Sequence, residues 1–308
     1  MKAEALLRRP SHQWEVLAAV SGAVYIAARN GELLWITDRT SALHPRAILL
    51  PAMPLHVPEP DSAVESVGNH LRCEHFILGW QQAAQWTPAR LSEARANRAG
   101  DLGQAIQAVG RVLPETADRE SARDSSASTL FERQLSEAVD RLCRVSTERG
   151  VPAGLEAVSG IVGLGEGLTP QGDDFLGGYL FTLRALDAAC CLSFDIDWES
   201  ATTWLYSVAH RTNAISHTLL VDHAHGDACA PLVAFIQGAL EGEGSARLSQ
   251  LASDVAKIGA SSGRSLLEGV QSACHMASAP RETAQHLLPV EGGETVGRPA
   301  RREVARVR

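Results

Sequence analysis

The chain has 308 residues, 45% of them hydrophobic, a size that fits one large domain or two ordinary ones around a sizeable core. Its 28 Lys and Arg against 36 Asp and Glu leave a formal charge of −8, which argues against a general nucleic-acid surface because phosphate binding depends on clustered cations. No run of about 20 apolar residues is present to span a bilayer, so small molecules and other proteins are the expected partners.

Near the start, Arg8 and Arg9 precede the apolar run Val16 to Ala28 and imitate a secretory signal. The run continues through Asn30-Gly31 into Leu33-Leu34-Trp35-Ile36, and Asn-Gly between two apolar stretches predicts a type I′ β-hairpin instead. Gly22 to Ala28 and Leu33 to Thr37 are its strands; Ala47 to Leu50 and His75 to Leu78 read as two more. Pro45, Pro51, Pro54, Pro58 and Pro60 suit turns and strand edges. Residues 1–87 therefore predict a small β-barrel or sandwich-like domain.

From Thr87 the pattern turns helical, with Thr87 as an N-cap and Pro88 opening a helix that reaches Leu113. Residues 114–128 are charged and Ser-rich and read as a mobile loop. A helix resumes from Leu130 to Arg149, with Phe131, Leu135, Val139, Leu142 and Val145 on one stripe and Gly150 as its stop. Phe175 to Ala189 is apolar nearly all round, as a buried central helix should be. Further helices are expected over Glu199 to Val221, Pro231 to Leu240, Arg247 to Lys257 and Ser265 to Met276. The polar stretch 281–308 reads as a disordered tail, and the expected class is α+β, a β domain followed by a mainly helical one over 88–280.

The densest chemical signal is Gly163 to Gly178, GLGEGLTPQGDDFLGG, which places six glycines in sixteen positions beside Thr169, Pro170, Asp173 and Asp174. Such density implies positive φ or close backbone approach to a ligand or a neighbour. Free N–H groups at a helix start favour phosphate or carboxylate, whereas the two aspartates repel an anion. Either a Mg²⁺ ion bridges them to the ligand, or one Asp caps the helix while the other bonds ligand or protein. The competing explanation is a tight turn with Gly177 and Gly178 as helix contact points. Neither a Walker A sequence nor a strand-linked G-x-G-x-x-G is present, so nucleotide binding does not follow.

A second candidate is His210-Arg211-Thr212-Asn213 with Ser216-His217, where helical spacing would put His210, Asn213 and His217 on one face. Arg211 supplies a planar donor for an anion. Asp222-His223-Ala224-His225 has zinc-type ligands but no third partner visible in the sequence. The third candidate is Gly259-Ala260-Ser261-Ser262-Gly263-Arg264, a small-residue loop before a helix, with Arg264 as a further anion donor. No G-x-S-x-G elbow marks a serine nucleophile. Six scattered cysteines without a C-x-x-C pair fit a reducing cytoplasm.

In this order the three segments resemble a bacterial family known through the large subunit of oxamate carbamoyltransferase, the AllH type. The family segment GLGxGLTPxGDDxLxG is matched by Gly163 to Gly178, with Glu166 where proline is frequent. R-T-x-x-I-S is matched by Arg211, Thr212, Ile215 and Ser216, and G-x-S-S-G by Gly259 and Ser261 to Gly263. The resemblance implies a multi-subunit assembly acting on carbamoyl phosphate and oxamate in allantoin breakdown, with FdrA-like partner subunits. Arg264-Ser265 and Ala260 depart from the family pattern, which alters the pocket's charge and bears on the substrate.

Together these signals give an expected site. Asp173, Asp174 and Arg211 are its catalytic candidates, and the two aspartates its metal candidates. Gly165, Gly167, Leu168, Thr169, Gly172, Asn213, Ser216, Ser261, Ser262, Gly263 and Arg264 are its anion-binding candidates. The expected activity is carbamoyl or related group transfer within a complex, or else non-catalytic metabolite binding by one of its subunits; a homo-oligomer also fits.

Overall fold

A computed structural model describes residues 2–8, 13–20, 22–39, 43–54, 56, 58–74, 76–88, 101–113 and 126–278. A short helix α1 (Lys2–Leu7) precedes seven strands: β1 (Gln13–Val20), β2 (Ala23–Ala28), β3 (Leu33–Thr37), β4 (Ala47–Leu49), β5 (Ala63–Val67), β6 (His70–Cys73) and β7 (Phe76–Gly79). They form one curled sheet in the order β4-β3-β2-β1-β5-β6-β7, antiparallel except where β4 runs parallel to β3. The architecture is α+β, as expected, and the barrel-like β part is this curled half-barrel.

The predicted hairpin forms, but not through a type I′ turn. Among the described non-glycine residues only Asp61 and Cys190 have positive φ, so Asn30 does not supply the first left-handed position; Gly31 is left-handed, at φ 83°. Gly31 N–H donates to the Ala28 carbonyl at 2.9 Å and Ala28 N–H to Glu32 at 2.8 Å, which makes a three-residue loop closed by a left-handed glycine. Strand β3 is buried along its whole length because both faces are covered. Leu34 and Ile36 join α1, Trp14, Val16 and Ile26 on one side, while Leu33 and Trp35 meet Ile215, Leu168 and Leu219 on the other. Two-sided burial explains an unbroken apolar LLWIT where a half-exposed strand would alternate.

The helices are α2 (Asp101–Val112), α3 (Ser126–Arg149), α4 (Val151–Ala157), α5 (Gln171–Ala188), α6 (Trp198–Ser207), α7 (Ala214–Ala224), α8 (Ala230–Glu241), α9 (Ser245–Ala256) and α10 (Ser262–Ser278). Helix α5 is the hub. Phe181, Ala185 and Leu186 face a core built with α2, α8, α9 and α10, and Phe175, Leu176, Tyr179 and Leu180 face a second core with α3, α4 and α6. Where α5 meets α10 the backbones touch: a Cβ on Gly178 would lie 2.0 Å from the Leu266 carbonyl oxygen, and one on Gly269 2.0 Å from that of Phe175.

Several expected boundaries move. Thr87 and Pro88 lie outside any element, and the described helix begins at Asp101; residues 89–100 and 114–125, the tail 279–308 and the Phe131 side chain lie outside the described residues. Helix α3 starts at Ser126, inside the segment read as a loop, and α10 starts at Ser262 instead of Ser265. The single helix expected over Glu199 to Val221 is broken by a 3₁₀ turn at Ala209–Arg211 and an extended Thr212 (φ −134°, ψ 177°). Asn213 then caps α7, its side chain accepting from the N–H groups of Ile215 and Ser216 at 3.0 Å each. His210, Asn213 and His217 therefore share no helix face.

Sheet and helices are joined by an ionic clasp. Asp222 on α7 accepts from Arg46 on both oxygens and from Lys2 at 2.7 Å, while Lys2 also pairs with Asp227 at 2.6 Å. Burial acts to raise the Asp222 pKa, but the Arg46 hydrogen bond and the nearby cations outweigh it and hold the carboxyl below its usual value. The Leu43 carbonyl accepts from Ala230 N–H at 2.8 Å beside this clasp.

Candidate functional site

The glycine-rich segment enters α5 with Pro170 at the N-cap, so the helix opens one residue after the proline. Its two aspartates have different surroundings. Asp173 is buried and fully bonded: Gly163 N–H donates to Oδ1 at 2.7 Å, and Ser216 (2.7 Å) and Thr212 donate their hydroxyls to Oδ2. It ties the segment to the break between α6 and α7. Gly163 permits that approach, because a Cβ there would fall 2.0 Å from the Arg211 carbonyl oxygen and its φ is 75°.

Asp174 is 8% exposed, and its Oδ2 has no hydrogen-bond partner. Burial raises its pKa to about 7; the hydroxyls of Ser262 and Thr169 act against that shift and the Asp173 charge adds to it. Thr169 and Ser262 touch, Oγ1 to Oγ at 2.9 Å, which sets the starts of α5 and α10 side by side. Asn213 Nδ2 donates to the Leu168 carbonyl at 2.8 Å and brings the start of α7 to the same place. Three helix N-termini thus meet beside one carboxyl group with an unspent oxygen. Such ends favour anions through their partial positive charge.

The expected row of free N–H groups is shortened, because Gly172 N–H donates to Leu164 O at 2.9 Å and Asp173 and Asp174 N–H both donate to Pro170 O at 3.0 Å. Among the described residues, Gly167, Leu168 and Thr169 N–H donate to no backbone carbonyl. Gly165 lies against the Gln171 side chain, whereas nothing lies within 4 Å of a Cβ built on Gly167. Ser261 accepts from Arg264 and Ser265 N–H through its carbonyl, and Gly263 is buried against the Val255 carbonyl. The side chains of Arg211 and Arg264 are exposed and form no ion pair among the described residues. Glycine-rich packing and a polar cluster therefore coexist in this segment.

A metal bridge between the aspartates does not suit this donor set. Both Asp173 oxygens are occupied by donors, and among the described residues no group of three His, Cys, Asp or Glu is placed to hold an ion. In the zinc-type stretch Asp222 is spent in the clasp and His225 Nδ1 on the Val221 carbonyl at 2.7 Å, while His223 is buried against Gly177 with its Nδ1 unpartnered and burial lowering its pKa to about 4. Two residues that the sequence did not single out stand near Asp174. Burial, and then the Asp174 charge, raise the pKa of Tyr25 on β2, and the Cys229 thiol is pushed up to about 11 by burial with a smaller effect from Asp174. Cavities of about 510 and 270 Å³ lie elsewhere, along β1 and β5 and between α3 and residues 157–164, and Asp174 lines neither.

Residues 161–274 match the family model described as oxamate carbamoyltransferase subunit AllH. This region is similar to the AllH type. The AllH match takes in Asp173, Asp174, the α6–α7 break and the start of α10, and excludes the sheet. No curated protein and no solved structure matches the chain. Among the described residues no helix is long and apolar enough to cross a membrane.

Proposed function

We propose that this chain is a subunit of an oxamate carbamoyltransferase-type enzyme and binds a small anion where the starts of α5, α7 and α10 meet. Asp174 carries this reading: a buried carboxyl with one unpartnered oxygen and a pKa of about 7 is present in both protonation states near neutral pH. In carbamoyl transfer the acceptor's amide nitrogen forms a C–N bond to the carbamoyl carbon. The C–O bond to phosphate breaks, phosphate leaves with the electron pair, and the nitrogen gives up a proton. Ionised Asp174 is the group assigned to take that proton, and the converging helix ends would hold the phosphate or carboxylate. Arg211 and Arg264, exposed in the chain alone, would reach the anion only by turning inward. Two domains divided near residue 88, a cytoplasmic location and an FdrA-like partner subunit belong to the same reading.

The near-complete burial of Asp174 favours one alternative, a metabolite-binding subunit whose site opens only in the assembly. Calorimetry of the chain with carbamoyl phosphate, oxamate and ADP separates the two when repeated with an FdrA-like partner. Binding with turnover only in the presence of the partner supports the subunit reading; no heat with any of the three under either condition contradicts both.

A further inference from the structure

We infer that Tyr25, which lies outside the AllH-matched residues, is a ligand-binding residue of the Asp174 site, its phenol hydroxyl donating to an oxygen of the bound anion from the sheet side. The inference rests on the site proposed above and adds a wall that the matched region lacks. Tyr25 sits in mid-β2 opposite Trp35 and packs on the sheet face that meets Leu168 and Ile215. Leu168 is followed directly by Thr169, whose hydroxyl touches Ser262 beside Asp174. The ring is held from behind, with Trp35 5.8 Å away at 41° and His44 in turn 4.9 Å from Trp35. The Arg46–Asp222 clasp follows His44 by two residues and fixes this sheet edge to α7.

Tyr25 is half-buried, and a tyrosine used only for packing would serve equally well as phenylalanine. Among the described residues the Tyr25 hydroxyl has none. Asp174 Oδ2 has none either, so two polar groups from different parts of the fold stand unspent beside an apolar floor of Leu168 and Ile215. The Asp174 charge helps to keep Tyr25 protonated, so it is a donor at neutral pH. The complementary ligand presents a nitrogen donor to Asp174 and an oxygen acceptor to Tyr25, the pattern of a small amide-bearing carboxylate.

Calorimetry of the full chain with oxamate, comparing wild type, Tyr25→Phe, Asp174→Asn and the exposed control Tyr206→Phe, tests the assignment. Tyr25→Phe is expected to weaken binding about tenfold with an unchanged melting curve, as for loss of one hydrogen bond to a charged group, while Tyr206→Phe binds normally. Wild-type affinity in Tyr25→Phe together with lost binding in Asp174→Asn overturns the Tyr25 role and leaves the site standing. Absence of wild-type binding, both alone and with an FdrA-like partner present, overturns both. Absorbance titration of the three tyrosines supplies a readout that needs no ligand. Asp174→Asn should lower the Tyr25 titration point, and an unchanged phenol titration overturns the placement even if Tyr25→Phe fails to fold.

Discussion

Replacing Asp174 by Asn should make the protein more stable at neutral pH while removing its function. The side chain is 8% exposed and its carboxyl is pushed from 3.8 to about 7, chiefly by burial. Below the unfolded value both states are protonated, and the group contributes nothing to the pH dependence. As pH rises between the two values the unfolded chain ionises first, so stability is lost progressively until the folded group ionises too. A gap of about three pH units corresponds to about 4 kcal/mol, an upper size for the effect. Asn cannot ionise and escapes this loss, whatever fixed cost its buried amide adds. Urea unfolding of both proteins from about pH 4 to about pH 8 isolates the ionisation, because a fixed packing difference is independent of pH. The variant's advantage should grow across that interval and level off near the folded pKa. A difference that stays constant would refute the claim that burial holds the Asp174 carboxyl well above its usual pKa.

Other substitutions separate structure from function. Asp173→Ala leaves Gly163 N–H and the Thr212 and Ser216 hydroxyls without their acceptor and should cost about 3 kcal/mol or more in urea unfolding, in contrast to the Asp174 variant. Arg46→Ala should destabilise by about 3 kcal/mol, because Asp222 is almost wholly buried; Lys2→Ala should cost less, since the Lys2 side chain is 34% exposed. The lowered Asp222 pKa means that this stabilisation is complete above the usual carboxylate value and is lost as pH falls through the folded one. Acid unfolding of the wild type should show that loss below about pH 4, and Arg46→Ala should flatten it. Gly178→Ala drives a Cβ into the Leu266 carbonyl and should destabilise by about 2 kcal/mol or more, whereas Gly110→Ala on the exposed face of α2, with nothing within 4 Å, should stabilise by about 0.5 kcal/mol; thermal melts compare the two.

Local signals located what they determine. The Asn30-Gly31 pair gave the hairpin, although the loop has three residues, with Gly31 as its left-handed position. The all-round apolarity of Phe175 to Ala189 gave the hub helix because burial on every side leaves no polar stripe. Strands β5 and β6 escaped because their apolar residues are few, as in Ala63–Val67, whose only fully buried residue is Val64, whereas β1 merges into the apolar run from Val16. The break at Thr212 was hidden in a periodic pattern, since what enforces it is the Asp173 carboxylate, 39 residues away in sequence. The same distance problem concealed the site's asymmetry. Adjacent aspartates look alike in sequence, yet a helix turns about 100° between them, which sent one to bonded donors and the other to an unpartnered pocket beside Ser262. Tyr25 and the Lys2–Arg46–Asp222 clasp carry no local signature at all, being juxtapositions of the sheet with α5 and α7.

The most direct measurement is turnover of carbamoyl phosphate with oxamate by the chain assembled with an FdrA-like partner, compared among wild type, Asp173→Asn and Asp174→Asn. Wild type should transfer the carbamoyl group with a rate that rises as pH passes about 7, as Asp174 ionises. Asp174→Asn should lose that rate by about a hundredfold or more while staying folded. Asp173→Asn, where it remains folded, should keep a pH-dependent rate with a lowered midpoint, because the Asp173 charge helps to raise the Asp174 pKa. Turnover by Asp174→Asn at the wild-type rate and with the wild-type pH profile would contradict the assignment.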